Sequence, residues 1–170
     1  LHNPMMEIYL KKPYASGKNI DDLKHLALQI RETKLKEIST ELTINIADFT
    51  VEVKLDKDKM KAIDLTNSKV LDAISKQLKG YNVRDNKESL ILKSRAKEST
   101  FNDAYKSKEK LKNIIGKGIK GILQVLPVKR EDEFVIITSG SNLADVLQLE
   151  EVDAYRTTTN NIFEIEQVLG

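Results

Sequence analysis

The chain reads as an α+β protein: antiparallel β-hairpins packed with helices, arranged as two small αββ-type lobes. Three features predict this. Leu42, Ile44 and Ile46 alternate with Thr43 and Asn45, and Phe49, Val51, Val53 and Leu55 alternate with Thr50, Glu52 and Lys54. Period-two alternation on either side of a short Ala47-Asp48 turn is the pattern of a hairpin with one buried face. Elsewhere, Leu23, Leu26, Ala27 and Ile30 recur at i, i+3, i+4 and i+7, the core face of a helix. Lastly, a helix followed by strand, turn and strand occurs around residues 34–38 and again around 118–122. The echo is too short to establish a duplication.

The elements follow in order. A first strand over residues 5–10 (MMEIYL) starts abruptly after Pro4, and residues 13–19 form a loop holding Ser16-Gly17. Asn19 or Asp21 opens the first helix, which runs to about Thr33. After the hairpin at 42–55 comes a lysine-rich stretch, 57–79. Within it Asn67-Ser68 begins a helix with Val70, Leu71, Ile74 and Leu78 inward, and Gly80 stands at the stop position. Residues 81–83 and 89–93 make a second hairpin around Asp85-Asn86-Lys87. A third helix over about 101–113 is anchored by Phe101, Ala104, Tyr105 and Leu111. Gly116, Gly118 and Gly121 punctuate IGKGIKGIL, ahead of a strand at 122–128 edged by Pro127. The β-branched run at 134–137 is a last strand. Ser141 or Asn142 then caps a helix with Leu143, Val146 and Leu147 on one face. Asn161 and Glu164 have capping-box spacing before Ile162, Ile165, Val168 and Leu169.

Composition narrows the function classes. With 170 residues, 40% of them hydrophobic, the chain can bury a core as one domain or two small lobes. No cysteine is present, which excludes disulfides and thiolate metal sites and fits an intracellular, cytoplasmic home. His2 and His25 cannot alone hold zinc. No apolar run reaches the roughly 20 residues that cross a bilayer, and no signal peptide is seen, so no membrane partner is expected. The first residue, Leu1, suggests a piece of something longer. The net charge of +2 hides an asymmetry: residues 1–130 hold 27 Lys/Arg against 17 Asp/Glu, whereas residues 131–170 hold one against nine. A basic body with an acidic end suggests one surface near a polyanion and another near protein.

A search for reaction chemistry finds little. GKGIKG lacks the spacing of a phosphate-binding loop, so its glycines read as turn residues that let backbones approach closely. Asp21-Asp22 and Glu131-Asp132-Glu133 read as helix-start and turn charges rather than a two-metal site. Ser139-Gly140-Ser141 resembles part of a nucleophile elbow, but no histidine follows it. His25 lies beside the first helix's apolar stripe and reads as a surface residue. No catalytic residue and no metal ligand is assigned. The constellation with a physical use is basic: Lys106, Lys108, Lys110, Lys112, Lys117 and Lys120 stand against Glu109 alone. On a helix, 106, 110 and 117 share one side, with 108 and 112 adjacent. Such a strip could track a phosphate backbone without reading bases; it equally describes a solvated helix face.

Several motifs in consistent order resemble a known family. Residues 3–10 (NPMMEIYL) resemble the (S/T)PMM-x-IYL stretch of the archaeal DNA-directed RNA polymerase largest subunit, in its C-terminal piece, A double-prime. STELTINIADFTVEVKL at 39–55 is similar to paired strands of that piece. IKGI at 119–122, FVIIT at 134–138 and GSNL at 140–143 resemble its "IKGI … YVIVTDGSNL" run, and residues 152–170 are similar to its "VD … TNNI.EIE.V.G". The resemblance is weakest over 57–113. Ser139 departs from it, standing where the family commonly has Asp.

The resemblance implies a jaw and cleft insertion domain, spanning 1–170, of a polymerase that transcribes DNA into RNA from ribonucleoside triphosphates. Its lobes would be 1–56 with 114–170, and 57–113. The chain would be a non-catalytic part of that nucleotidyltransferase, with no cofactor of its own and the polymerase magnesium bound elsewhere. Downstream duplex DNA and neighbouring polymerase subunits are the implied partners. The alternative is a purely protein-docking module without DNA contact. If both ends feed one polymerase body, residues 5–10 and 155–170 should lie close together.

Overall fold

The computed structural model describes residues 3–169. In chain order these form β1 (Met5–Tyr9), α1 (Ile20–Ile30), β2 (Thr33–Lys34), β3 (Ser39–Ile44), β4 (Val51–Leu55), α2 (Lys57–Ala62), α3 (Asn67–Gln77) and β5 (Tyr81–Asp85). There follow β6 (Ser89–Ser94), α4 (Phe101–Lys112), β7 (Ile115–Lys117), β8 (Ile122–Arg130), β9 (Glu133–Gly140), α5 (Leu143–Val146), β10 (Thr158–Thr159) and α6 (Ile162–Leu169). All strand pairings in the two larger sheets are antiparallel, so the fold class is α+β as the sequence predicts. The chain divides into two compact units, residues 33–116 and residues 1–32 with 117–170.

The outer unit, built from both ends of the chain, is a sheet of order β10-β1-β9-β8 with its helices. β1 is central. It pairs with β9 from Met5↔Ser139 to Tyr9↔Val135, and with β10 through Met6↔Thr159. The early strand and the 155–170 region therefore adjoin, as expected. Asn160 fixes the junction, accepting from the Met5 N–H at 2.8 Å through Oδ1. Met6, Ile8, Leu23, Ile30, Ile122 and Ile136 fill the core. α1 forms because the Asn19 side chain accepts from the Asp21 and Asp22 N–H groups, while Leu23, Leu26, Ala27 and Ile30 bury one stripe. It stops short of Thr33. The Ile30 carbonyl accepts from Ile119 N–H, and Glu32 N–H donates to Ile122 at 2.7 Å, which draws the backbone into strand-like pairing.

The inserted unit, 33–116, is a sheet of order β3-β4-β6-β5 covered on one face. Val51 pairs with Leu92 and Val53 with Leu90, placing all four on the buried face. Met60 of α2, Val70 and Ile74 of α3 and Leu111 of α4 share that core. The hairpin at 39–55 thus lies in the inserted unit, whereas the sequence boundary at 56/57 put it with the ends. Its inward side chains pack on residues from 60 to 114, and this decides the division. α2 is absent from the sequence reading: it is six residues long with one buried anchor, Met60, too short to display a helical period. Its one cue is Asp56, which accepts from the Asp58 and Lys59 N–H groups. At the β3–β4 turn the alternation fails, since Ile46 is 74% exposed and Phe49 adopts φ 57°.

Candidate nucleic-acid interface

Five of the six singled-out lysines lie on α4 or just beyond its end in β7, and the sixth, Lys120, lies in the following turn; helix and sequence part company midway along the strip. α4 starts with a capping box. Thr100 Oγ1 accepts from Asp103 N–H at 3.2 Å, and Asp103 accepts from Thr100 N–H at 3.1 Å. Ala104, Ser107 and Leu111 form its buried stripe. The Ser107 hydroxyl donates to the Asp103 carbonyl, so Tyr81 is the donor in the 2.7 Å bond between Tyr81 and Ser107.

The helix ends at Lys112. Asn113 and Ile114 N–H groups turn back to Lys110 and Leu111 carbonyls, and Ile114 then enters the core. Lys117 consequently does not continue the helical side shared by 106 and 110. It lies on β7, Lys120 sits in the following turn, and both belong to the outer unit. The structure does bring Lys106 and Lys110 together, four residues apart on one flank of α4. They edge a groove of about 260 Å³ whose walls include Tyr81, Ser94, Ser99 and Asp103. Lys108 and Lys112 occupy the other flank, where Glu109 holds Lys112 at 3.1 Å.

Tertiary structure also redistributes the charge. The inserted unit carries 18 Lys/Arg against 13 Asp/Glu, and the outer unit 10 against 13. The basic region is therefore 33–116 rather than the whole stretch 1–130. Three further cations stand on or just beyond the sheet of this unit, outside the lysine strip. Arg84 and Lys93 face a groove of about 590 Å³ on the uncovered side, alongside Asp48 and Glu52, and Arg95 donates to Asn82 at 3.0 Å. Strand alternation could have found them, because Arg84 and Lys93 are out of phase with Val83 and Leu92. Two hydrogen bonds from Thr50 hold the Asp48 carboxyl below its ordinary pKa.

In the outer unit the polar motifs turn inward on one another. Ser141 bonds the Glu164 carboxylate and lies 2.6 Å from Thr159 Oγ1, so the seryl motif links α6 to β10. Ser139 is exposed on β9, and α5 is capped instead by Asn142, which accepts from Asp145 N–H. Gly118 has φ 89°, and a Cβ there would stand 1.9 Å from the Arg31 carbonyl oxygen, so its role is close backbone approach. His25 lies 3.3 Å from Gln29 Nε2 on the exposed side of α1. Arg156 grips Glu133 with two 2.9 Å bonds and lies 4.3 Å from the Tyr9 ring centroid. Arg130 reaches Glu7 at 2.8 Å. Arg156 lowers the Glu133 pKa, and hydrogen bonding to Glu7 raises that of Arg130. Among the described residues, no three or more His, Cys, Asp or Glu side chains are grouped to hold a metal ion. No helix among them is long and apolar enough to cross a membrane.

No family model matches the chain. A curated relative, DNA-directed RNA polymerase subunit Rpo1C of Methanocaldococcus jannaschii, is 36% identical over 167 residues, 98% of this chain. Along nearly its whole length the chain is similar to this C-terminal piece of an archaeal RNA polymerase largest subunit. It spans 19% of that relative's length. The match runs through both units, including residues 57–113, where the sequence motifs are weakest.

Proposed function

We propose that this chain is a non-catalytic jaw and cleft part of a DNA-dependent RNA polymerase, which helps hold downstream duplex DNA and docks neighbouring subunits. The observation that carries the DNA contact is the Lys106–Lys110 flank of α4, set in a unit with a five-charge excess of cations. Ammonium groups on flexible stems neutralise phosphates and release counterions without selecting a base sequence. No Arg- or Asn-rich helix accompanies them to read base edges. The contact would position the duplex and leave sequence unread. Phosphoryl transfer and its magnesium would belong to other parts of the polymerase.

Titrating the chain with duplex DNA at several salt concentrations tests the reading. Weak, sequence-independent binding with a steep salt dependence is expected. Changing Lys106 and Lys110 to Ala should shallow the log–log salt slope by roughly 2, about 0.9 per phosphate contact. Undiminished binding after neutralising Lys106, Lys108, Lys110 and Lys112 together would remove α4 from the interface. Lys117 and Lys120, in the other unit, would then be the next pair to neutralise. If the unaltered chain binds no DNA yet still assembles with polymerase subunits, the protein-docking alternative stands instead.

A further inference from the structure

The second flank of α4 carries a different chemistry. Phe101, Tyr105, Lys108 and Lys112 are spaced i, i+4, i+7 and i+11, which stacks them in one narrow stripe along the helix. The sequence pattern predicts both aromatics as core anchors, but Phe101 is 49% and Tyr105 50% exposed. The core on that helix is already filled by Ala104, Ser107 and Leu111. Two neighbouring rings half in water, continued by two lysines, are a costly surface for a solvated helix to maintain.

We propose that this flank is a protein-docking surface whose partner is an acidic amphipathic segment of another polypeptide in the polymerase: an apolar side chain against Phe101 and Tyr105, carboxylates against Lys108. The inference rests on the proposed place of the chain in a polymerase and is independent of the DNA contact at Lys106 and Lys110. Charge selects the partner. Glu109 occupies Lys112, which leaves Lys108 as the stripe's open cation, and the surrounding unit is basic overall. A second copy of the chain would bring Lys108 towards its equivalent, so self-association is disfavoured. Duplex DNA does not suit the rings, because stacking on aromatic side chains belongs to unpaired bases. Aromatic side chains are the enriched anchors of protein interfaces.

The test uses assembled polymerase with template DNA present and a photo-cross-linking phenylalanine analogue in place of Tyr105. The expected product joins this chain to a polypeptide segment in which apolar residues neighbour Asp or Glu. Cross-linking to DNA, to a second copy of the chain, or at no more than the yield from the exposed Ile46 position would overturn the proposal. Phe101→Ala and Lys108→Glu, each added to the cross-linker variant, should cut the yield about tenfold. Lys76→Glu, on the exposed side of α3, should change it by less than about twofold. Equal yields from all three variants would also overturn it. Both altered aromatics are half-exposed, so an unchanged thermal midpoint is expected and checks that the fold persists.

Discussion

The two units solve the same packing problem with opposite connectivity. In the outer unit, β1 sits between β9 and β10, so its sheet closes only when residues far apart in sequence meet. In the inserted unit each hairpin is local, β3 with β4 and β5 with β6, and one long-range pairing, β4 with β6, joins them. Their surfaces differ as well. The outer unit holds two of its three arginines in internal clamps, Arg130 to Glu7 and Arg156 to Glu133. The inserted unit leaves several cations facing solvent. Local hairpins are closed by their own sequence, so their outward faces are free to carry charge. A sheet assembled from distant segments uses polar side chains to fasten them.

The sharpest contrast concerns glycine. Gly118 of the outer unit and Gly80 of the inserted unit both have positive φ, 89° and 87°. A Cβ at Gly118 meets the Arg31 backbone, whereas at Gly80 nothing lies within 4 Å. Gly118→Ala should therefore cost more than about 4 kcal/mol, and Gly80→Ala about 1 kcal/mol, the left-handed penalty alone. Urea unfolding of the two variants measures the gap; equal losses would show that close approach does not govern Gly118.

Core truncation comes next in size. Leu23→Ala and Leu111→Ala each remove a fully buried side chain, one per unit, at about 3 kcal/mol. Hydrogen exchange followed by mass spectrometry should show β1 and β9 losing protection in the first variant, and β4 and β6 in the second. Loss across both sheets in either variant would mean that the units unfold as one.

Helix caps give a smaller effect, about 1 kcal/mol. Thr100→Ala should loosen α4 and Asn142→Ala should loosen α5, each read as faster amide exchange confined to the first turn of its helix.

The smallest effect is the pH response of the Arg156–Glu133 clamp. Arg156 depresses the Glu133 pKa. Its stabilisation is fully present above the ordinary carboxylate value and fades as pH falls through the lowered one. Glu133→Gln should flatten that acid-side loss for the outer unit and leave the inserted unit's pH profile unaltered.

Much of this was legible in advance. Period-two alternation located β3 and β4, the polar Asp85-Asn86-Lys87 turn located β5 and β6, and a β-branched run located β9. The i, i+3, i+4 pattern located α1 and α3, and all four predicted α1 anchors are buried. The capping residues Asn19, Asn142 and Asn161 are used as caps, although Glu164 turns to Ser141 instead of completing its box. The candidate site was half legible. The anchors at 101, 104, 105 and 111 found α4, but the lysine strip was carried past the helix end at Lys112 to positions 117 and 120. Phe101 and Tyr105 were misplaced. They satisfy a helical period as well as the true anchors do, and hydrophobicity alone does not say which of two adjacent stripes faces the core.

The sequence by itself determined the elements, the antiparallel hairpins, the capped helix starts and the family motifs. These depend on residues near one another in the chain, where side-chain period and backbone hydrogen bonding act directly. Only tertiary structure decided that the hairpin at 39–55 joins the inserted unit, that the basic surplus gathers in residues 33–116, and that α4 presents two flanks of different chemistry. Each of those outcomes depends on which distant apolar faces bury one another, and that choice is made by the whole core.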